Sequence, residues 1–330
     1  MTNDKRQMKD MKTYQLKLFC ACLVGCFSTA ILTSCSEDEV DKNISVIVDS
    51  QTPQNQLDLW LQKNYVERYN IELRYRWEDN QISMDYILVP AKYENSIRMA
   101  RILKYICFDA FDEVTGGPEF VRSSFPKLVQ LVGNPGWNSN NSYTLGSSEG
   151  GHKINLWYVN HLGDNLMVYD SNWQLIKNDS VIRDREELNS VYFHTIIHEY
   201  AHTFHQRVPY TSEFNQITGT AYLGGSYTSV FSGPDDPSIF QRGFVTAYAA
   251  YTANEDFAEV FSTYICSTPE EFQVILDKAG VDGRNKISQK LRIVREYFSS
   301  NWGLDIDDVR DAVQRREANL SEQNFDDISL

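Results

Sequence analysis

The feature that most constrains this chain is the segment His198-Glu199-Tyr200-Ala201-His202, which is an H-E-x-x-H motif. Residues four apart lie on one face of an α-helix, so both imidazoles can reach a single metal ion. The same helix carries Glu199 beside the vacant coordination position, where its carboxylate can take a proton from water. Residues 188–205 contain no Pro or Gly and Pro209 follows them, which is typical of a helix and its end. The sequence therefore predicts a helix that holds a catalytic metal, with Glu199 as general base.

A third metal ligand is expected downstream of this motif. Catalytic zinc usually has three protein ligands and one open position. The chain has six His and none lies after residue 205, so a carboxylate is the better candidate. Glu255 and Glu259 lie one turn apart, beside the apolar face of a second predicted helix that begins near Asn254. Because an unpaired buried carboxylate is costly, the pair favours a metal ligand and an acid that supports a ligand His. A solvated first turn capped by Asn254 is the alternative.

Together, the blocks 198–202 and 255–259 resemble the gluzincin arrangement, in which two His and a downstream Glu bind zinc. They are similar in detail to the zinc-binding metallopeptidase lipoproteins associated with TonB-linked outer-membrane import systems, over most of the chain after residue 55. This resemblance implies an α+β, zincin-like metallopeptidase fold with a mixed-sheet N-terminal lobe and a helical C-terminal lobe around a zinc cleft. It implies one Zn²⁺ per chain and the following roles: ligands His198, His202 and Glu255, base Glu199, and supporting acid Glu259.

Tyr248 becomes a further candidate through a second resemblance. The block 255–259 is similar to the metal-ligand helix of anthrax lethal factor, where a Tyr lies seven residues before the ligand Glu. On that resemblance Tyr248 is an oxyanion stabiliser, because a phenol donates a hydrogen bond without competing for the metal. Tyr251 is the rival for this role, and a packing role is the alternative for either ring.

The first 35 residues are predicted to be a lipoprotein signal peptide. Five basic residues precede an apolar run over 18–32, which is too short and too early for a stable membrane span. Residues 32–35 resemble a lipobox, so we expect cleavage before Cys35 and acylation of that residue; an uncleaved anchor helix is the alternative. The acidic residues 36–39 resemble the export tag of surface lipoproteins, and residues 36–55 are expected to form a flexible tether. These signals predict an outer-membrane lipoprotein at the cell surface, or alternatively on the periplasmic face.

The net charge of the chain limits the kinds of partner that it can bind. Residues 1–35 carry five basic and two acidic residues, so their removal moves the net charge from −14 to −17. Such a surface does not suit nucleic acid or anionic lipid, which leaves membrane attachment to the lipid chains. The expected partners are a peptide or glycopeptide substrate and, from the resemblance, a TonB-linked import complex. Cys107 and Cys266 both lie in apolar patterns, so one disulfide and two buried free thiols both remain open.

Residues 56–330 are predicted to form the metallopeptidase domain. Periodicity predicts helices over 57–70, 94–111, 269–279, 284–300 and 306–318, and strands over 71–77, 84–89, 128–132 and 153–159. Residues 146–151 are expected to be flexible and the tail after Asn319 loose. We expect the region 143–159 to include an edge strand that borders the cleft and pairs with peptide, a plain hairpin being the alternative. The irregular segment 214–244 is predicted to form a cleft wall that sets substrate choice.

The four other His are assigned no ligand role. His194, one turn before the motif, is expected in the core or in support of a ligand, with a stray ligand as the alternative. His205 lies off the 198–202 face and is expected to be structural. His152 and His161 flank the predicted edge strand, and the sequence does not decide whether they line the cleft.

Three functions fit these observations. A zinc peptidase is favoured. A zinc amidase or other hydrolase that acts on glycans or cell-wall peptides is the second hypothesis. A binding lipoprotein with a vestigial metal site is the third, and the retained Glu199 argues against it, since a vestigial site can lose its base while it keeps its ligands.

Overall fold

The computed structural model describes the chain from residue 54 onwards, apart from residues 78–84, 140–141 and 170–171. Residues Gln54–Leu330 form one compact unit. The predicted signal peptide, Cys35 and nearly all of the predicted tether lie outside the described residues. Within the part of the chain that is described, no helix combines the length and apolarity needed to cross a membrane.

Helices open the domain where the apolar periodicity predicts them. The first, α1 (Gln56–Leu61), begins at a capping box in which the Asn55 side chain accepts from Asp58 N and the Asp58 carboxylate accepts from Asn55 N. A π-helical stretch continues it to Glu67. The second predicted helix is a longer run made of α2 (Tyr93–Ile102), a π-helical stretch and α3 (Asp109–Thr115), and the short α4 (Glu119–Ser124) follows.

A mixed four-stranded sheet is the main β element. Its strands are β1 (Glu72–Arg74), β2 (Leu128–Leu131), β5 (Gly146–Glu149) and β6 (Lys153–Leu156), in the order β1-β2-β6-β5. Strands β1, β2 and β6 are parallel, and β5 pairs antiparallel with β6, with Gly146 opposite Leu156. Two separate pairs complete the β structure: β3 (Gly136–Trp137) with β4 (Tyr143–Thr144), and β7 (Asn165–Tyr169) with β8 (Leu175–Ser180). The predicted mixed sheet is therefore confirmed.

The edge strand β5 corrects one prediction. Residues 146–149 were expected to be flexible because of their Gly and Ser content, yet they form the outer strand. The reason is a side-chain interaction with β6: Asn155 Nδ2 donates to Ser147 Oγ at 2.9 Å and to Glu149 Oε1 at 2.6 Å. Short polar side chains that would loosen an isolated strand here bond to the neighbouring one.

One further prediction about β structure was wrong, and one hairpin was not predicted. Residues 85–89 of the predicted strand 84–89 are irregular, and residue 84 lies outside the described residues. The sequence analysis also missed the β7–β8 hairpin. Its strand β8 is mostly exposed and carries apolar side chains on the surface, so it lacks the alternation that a half-buried strand shows.

The second half of the domain is helical. Its helices are α5 (Arg185–Leu188), α6 (His194–Arg207), α7 (Glu213–Thr218), α8 (Tyr227–Val230), α9 (Pro237–Gln241), α10 (Ala253–Cys266), α11 (Pro269–Lys278), α12 (Gly280–Trp302) and α13 (Ile306–Ala318). The three predicted C-terminal helices are confirmed as α11, α12 and α13. The predicted wall segment, 214–244, contains only short helices, which agrees with its lack of a clear period.

An aromatic cluster joins the helices that carry the two motif blocks. Phe204 of α6 lies 5.0 Å from Phe298 of α12, ring centre to ring centre, and Phe261 of α10 lies 4.2 Å from the same ring. All three side chains are fully buried. Aromatic pairs contribute about 0.5–1.5 kcal/mol beyond their area burial, so this cluster fixes α6 against α10. The rear of both helices is thus anchored in the core.

The C-terminal tail is packed, which corrects the prediction of a loose tail. Leu320, Phe325 and Ile328 are buried. Asp326 also pairs with Arg98 at 2.7 Å. The acidic composition of the tail made these three well-spaced apolar contacts hard to recognise in the sequence.

Cys107 and Cys266 are buried free thiols, so of the two alternatives the structure has the unpaired one.

Candidate metal centre

Three donor atoms converge between α6 and α10. His202 Nε2 lies 2.9 Å from His198 Nε2. Glu255 Oε2 lies 3.1 Å from His198 Nε2 and 3.0 Å from His202 Nε2. Within the described ranges, this is the only group of three or more His, Cys, Asp or Glu whose ligand atoms all lie within 4.8 Å of one another. The structure therefore brings together the three residues that the sequence analysis assigned as ligands.

The donor set fits zinc by size and by chemistry. Zinc binds His nitrogen and carboxylate oxygen at about 2.0–2.2 Å in tetrahedral geometry, which separates neighbouring ligand atoms by roughly 3.3 Å. The observed separations of 2.9–3.1 Å are close to this value. Burial alone would lower the pKa of His198, but Glu255 and Glu259 raise it to about 10. The cluster thus attracts positive charge, and a dication can satisfy it.

Helix α6 fixes the relative position of its two ligands. His198 and His202 lie in the middle of the helix and are nearly buried, and Ile197 and Ala201 beside them are fully buried in the core. Because the four-residue spacing already places both rings on one face, the helix itself sets their relative position, and the ring orientations are fixed by the contacts described below.

Glu255 is positioned by the start of α10. The helix begins after Thr252, whose hydroxyl accepts a hydrogen bond from Glu255 N at 3.3 Å. Thr252 is therefore the N-cap, and the proposed alternative of a cap at Asn254 is wrong. Asn254 instead accepts from the Tyr210 hydroxyl at 2.7 Å. A carboxylate in the first turn also interacts favourably with the helix dipole.

Glu259 lies one turn further along α10, behind His198. Its Oε1 is 2.7 Å from His198 Nδ1, the ring nitrogen that faces away from the donor triangle. The Thr246 hydroxyl donates to its other oxygen. A carboxylate in this position fixes the ring orientation and raises the basicity of a metal-binding His. The supporting position assigned to Glu259 agrees with this geometry.

His205 supports the other ligand, which the sequence analysis did not anticipate. His205 Nε2 lies 2.7 Å from His202 Nδ1. Burial and the neighbouring His202 lower the pKa of His205 to about 4, so its ring is neutral and its Nε2 can accept a hydrogen bond from Nδ1–H of His202. That direction leaves the Nε2 lone pair of His202 free. A spacing of three residues along one helix could have signalled this contact.

The remaining His do not join the donor triangle. His194 Nε2 lies 3.0 Å from Ser262 Oγ and 3.7 Å from Glu259 Oε2, which agrees with the expected supporting position. His161 lies between two carboxylates, at 3.0 Å from Asp164 and 2.8 Å from Glu187. Neither His161 nor His152 is among the residues that line the cleft.

Glu199 points into the cleft beside the triangle. Its side chain is nearly buried, and its Oε2 has no hydrogen-bond partner within the described part of the chain. Burial raises the pKa of Glu199, although His198 and His202 oppose this effect. The edge strand approaches closely here: a Cβ on Gly146 would lie 2.9 Å from Glu199 Cγ and 2.7 Å from Thr195 Cγ2. Glycine at 146 is therefore required for β5 to reach the carboxylate.

Tyr248 is the nearer of the two candidate tyrosines. Its ring centre lies 5.9 Å from that of His198, and its side chain is 36% exposed. Tyr251 stacks on Tyr248 at 5.9 Å with nearly parallel rings. Burial and the neighbouring Glu255 raise the pKa of Tyr248, so its phenol stays protonated and able to donate.

A buried ion pair holds the back of the α10 N-terminus. Asp256 pairs with Lys290 of α12 at 2.5 Å, and neither side chain is exposed. The Tyr222 hydroxyl also donates to Asp256 at 2.8 Å, and Lys290 Nζ donates to Gly243 O at 2.7 Å. The residue next to Glu255 is thus tied both to α12 and to the wall segment 214–244.

Two cavities meet at the candidate centre, and both are lined by Thr144, Gly146, His198, Glu199 and Tyr248. The first, here called the polar cavity, has a volume of about 720 Å³. Its remaining lining residues are mostly polar and include Ser147, Ser148, His202, Gln206, Ser212, Asn215, Asn254 and Glu255.

The second cavity, here called the tyrosine cavity, has a volume of about 630 Å³. It extends to the other side of Glu199 and is lined by Tyr143, Tyr227, Tyr248 and Tyr251 among others. The wall segment contributes Asn215 to the polar cavity and Tyr227 to the tyrosine cavity, so it borders both.

Two His, one Glu and an adjoining buried carboxylate form a donor set of the kind found in catalytic zinc sites. Comparison with known proteins gives the family. Residues 50–307 match the family model described as "Putative zinc-binding metallo-peptidase", and the chain belongs to this family.

A solved structure supports the same assignment. It is described as the crystal structure of "a putative zinc-binding metallo-peptidase from Bacteroides caccae" at 2.10 Å resolution. It is similar to this chain with a TM-score of 0.64 and 32% sequence identity, over 83% of this chain and 96% of the other. No curated protein matches the chain.

Proposed function

We propose that this protein is a zinc-dependent peptidase whose metal ligands are His198, His202 and Glu255. The observation that carries the proposal is the convergence of three donor atoms at separations of 2.9–3.1 Å beside the buried Glu199 Oε2, which has no hydrogen-bond partner among the described residues. A zinc ion in such a site supplies Lewis-acid polarisation of the scissile carbonyl and makes water easier to deprotonate. The residues of this chain then carry out the proton transfers and hold the substrate.

Glu199 is the proposed general base and acid. Its carboxylate faces the cleft, where an attacking water would lie, and burial raises its pKa towards the range useful for proton transfer. It would take a proton from the water and return it to the nitrogen of the leaving amine. General acid–base catalysis of this kind contributes roughly 10²–10⁴-fold.

Tyr248 is the proposed oxyanion donor. Of the two tyrosines it alone lines both cavities, and its ring lies beside that of His198. Its raised pKa keeps the hydroxyl proton available for a developing oxyanion. Tyr251 lines only the tyrosine cavity, so it is better placed to contact the substrate than the reacting carbonyl.

The edge strand β5 is the proposed binding surface for the substrate backbone. Leu145 O accepts from Trp157 N at 2.9 Å, on the β6 side of the strand. Since bonding directions alternate along an antiparallel strand, the backbone groups of Gly146 and Ser148 face outwards. An extended peptide can pair with them and pass beside Glu199.

We further propose that the mature protein begins at acylated Cys35, on the outer membrane and exposed at the cell surface. The lipobox-like residues 32–35 and the acidic residues 36–39 support this location. From there the enzyme would shorten peptides or glycopeptides for import, in association with a TonB-linked import complex. These proposals rest on the sequence signals and on the resemblance described above.

The test uses residues 36–330, which are the proposed mature chain without the acylated Cys35. Zinc content is measured by mass spectrometry, and cleavage of a mixed peptide library is measured by liquid chromatography. We expect about one zinc per chain in the wild type and in Glu199→Gln, and loss of zinc in Glu255→Ala. Glu199→Gln should lower cleavage at least about 100-fold because it removes the base and keeps the ligands.

Three results would contradict the proposal. Wild-type protein that takes up no zinc on reconstitution would favour a binding lipoprotein. Zinc retained in Glu255→Ala would exclude Glu255 as the third ligand. Cleavage of glycan or cell-wall amides, with ordinary peptides left intact, would favour the zinc amidase.

A further inference from the structure

The tyrosine cavity has a continuous aromatic wall beside the candidate centre. Tyr248 and Tyr251 are nearly parallel, with an interplanar angle of 9° and ring centres 5.9 Å apart. Tyr227 meets them edge-on, at 5.7 Å from the first and 6.1 Å from the second. Tyr143 of β4 lies on the same cavity. Four tyrosine side chains therefore line this cavity, and three of them are in mutual ring contact.

The shape of this wall favours a flat ligand. Rings with centres 5.7–6.1 Å apart already touch one another, so no gap remains in which they could surround an ammonium group. Tyr248 and Tyr251 are 36% and 37% exposed, so part of each ring surface is open to the cleft. A planar group can lie against this surface in an offset-stacked or edge-on arrangement.

Neighbouring polar groups of this cavity are already bonded within the protein. Asn138 donates to Ser142 Oγ at 3.0 Å and accepts from the Tyr86 hydroxyl at 3.1 Å. The Ser190 and Thr195 hydroxyls donate to backbone carbonyls three and four residues earlier in the chain. These groups are less available for the many hydroxyls of a sugar, which leaves the tyrosine rings, with their hydroxyls, as the main recognition element.

We propose that the tyrosine cavity binds an aromatic side chain of the peptide substrate, next to the scissile bond, and that Tyr227 and Tyr251 determine this preference. The inference rests on the proposed peptidase function and names its substrate class. Aromatic pairing gains over simple burial by an amount equivalent to about two- to tenfold in affinity, so Phe and Tyr should be preferred over Leu by about that factor. Phe and Tyr should be preferred over Ala by a larger factor, because an Ala side chain leaves most of the tyrosine ring surface exposed to water.

The experiment uses the mature, zinc-loaded enzyme and a set of heptapeptides that differ only in a central residue: Phe, Tyr, Leu, Ala, or Ser carrying N-acetylhexosamine. Rates and cleavage positions are measured by mass spectrometry. We expect cleavage next to Phe or Tyr, at least tenfold faster than next to Ala. Tyr251→Ala and Tyr227→Ala should each lower the Phe-to-Ala ratio of kcat/KM at least threefold. Tyr251→Phe should keep the ratio, because it keeps the ring.

Tyr93→Ala is the matched control. Tyr93 is 36% exposed, nearly the same as Tyr251, and does not line either cavity. Its substitution should leave the Phe-to-Ala ratio unchanged. Zinc content and the thermal unfolding midpoint of each variant show whether it is folded.

A second readout does not need turnover. Calorimetry with the Glu199→Gln variant should show tighter binding of the Phe peptide than of the Ala peptide, and addition of Tyr251→Ala should remove the difference. Equal rates and equal binding for Phe and Ala would overturn the inference, as would a preference that survives both Tyr substitutions. Faster cleavage next to the glycosylated Ser than next to Phe or Tyr would also overturn the inference, because it would mean that the tyrosine cavity binds a sugar. If no peptide is cleaved but the binding difference and its dependence on Tyr251 persist, the peptidase proposal fails and the aromatic subsite stands.

Discussion

Helices α6 and α10 supply ligands to the same point, but they position them in different ways. The two His of α6 lie in the middle of a helix, with side chains only 7% and 11% exposed. Glu255 comes from the first turn of α10 and is 18% exposed. The geometry of the first pair is internal to one helix, whereas the position of Glu255 depends on whatever holds the start of the other. The same centre therefore has one half whose ligand spacing is set within a single helix and one half whose ligand position depends on contacts with other parts of the chain.

Two of the three supports of α10 come from distant parts of the chain. Thr252 caps the helix, and Lys290 holds Asp256 from α12. Tyr210 stacks on Phe257 with ring centres 4.4 Å apart. Because the position of Glu255 depends on these supports, changes at them should lower the zinc affinity of the centre even though none of them touches the metal.

The largest expected effect is that of Lys290→Met. The change keeps the aliphatic stem but removes the cation that offsets the burial of the Asp256 carboxyl group, so we expect the free energy of unfolding to fall by about 3–5 kcal/mol. Zinc affinity should fall as well, because Asp256 adjoins Glu255. Urea denaturation and chelator competition measure the two effects.

Lys286→Met is the matched control. Lys286 pairs with Asp282 on the surface of the same helix, at 2.6 Å with an aspartate that is 78% exposed. An exposed pair contributes about 0–1 kcal/mol, so this variant should stay close to wild type. Equal losses in the two variants, or normal zinc affinity in Lys290→Met, would show that the buried pair does not support the centre.

A middle-sized effect should separate the supports of the two His ligands. Glu259→Gln removes the charge behind His198, and we expect zinc affinity to fall by about 10–100-fold, as is usual for such outer contacts. His205→Gln retains a side-chain acceptor for His202 Nδ1, and its effect should be smaller. Competition with a zinc chelator at constant pH measures both. A larger loss in His205→Gln would reverse the assigned order of the two supports.

The smallest effect is expected from the helix caps. Thr252→Val and Thr268→Val each remove the hydroxyl of an N-cap, from α10 and α11 respectively, and each should lower the free energy of unfolding by about 1 kcal/mol. Only the first cap holds Glu255 N, so only Thr252→Val should also reduce zinc affinity. Isothermal titration with zinc tests this, and a reduced affinity in both variants would mean that general stability, not the cap, is responsible.

The contrast between the helices also explains how much could be predicted from the sequence. The roles of His198, Glu199 and His202 could be predicted because five consecutive residues of one helix set their relative positions. Glu255 and Glu259 could be proposed because a turn of helix again sets their spacing. The helices α11, α12 and α13 were predictable from periodicity and from the cap at Thr268.

Features that depend on contacts far apart in the chain were not predictable. The pairing of Asp256 with Lys290 joins residues with no local signal, and β5 is paired with β6 and held further by Asn155, which bonds to its side chains. The tail after Asn319 looked loose because its acidic residues hide three separate apolar contacts. The close approach of Gly146 to Glu199 likewise exists only in the folded chain.

The separation of the ligands along the chain has a mechanical consequence. His198 and Glu255 are 57 residues apart, and a single ion bound to both would close a loop that contains the whole wall segment 214–244. Such a closure acts like a covalent cross-link, since it removes conformational entropy from the unfolded chain. Removal of the ion would therefore return this entropy to the unfolded chain and lower the free energy of unfolding, even though the aromatic cluster still holds α6 against α10.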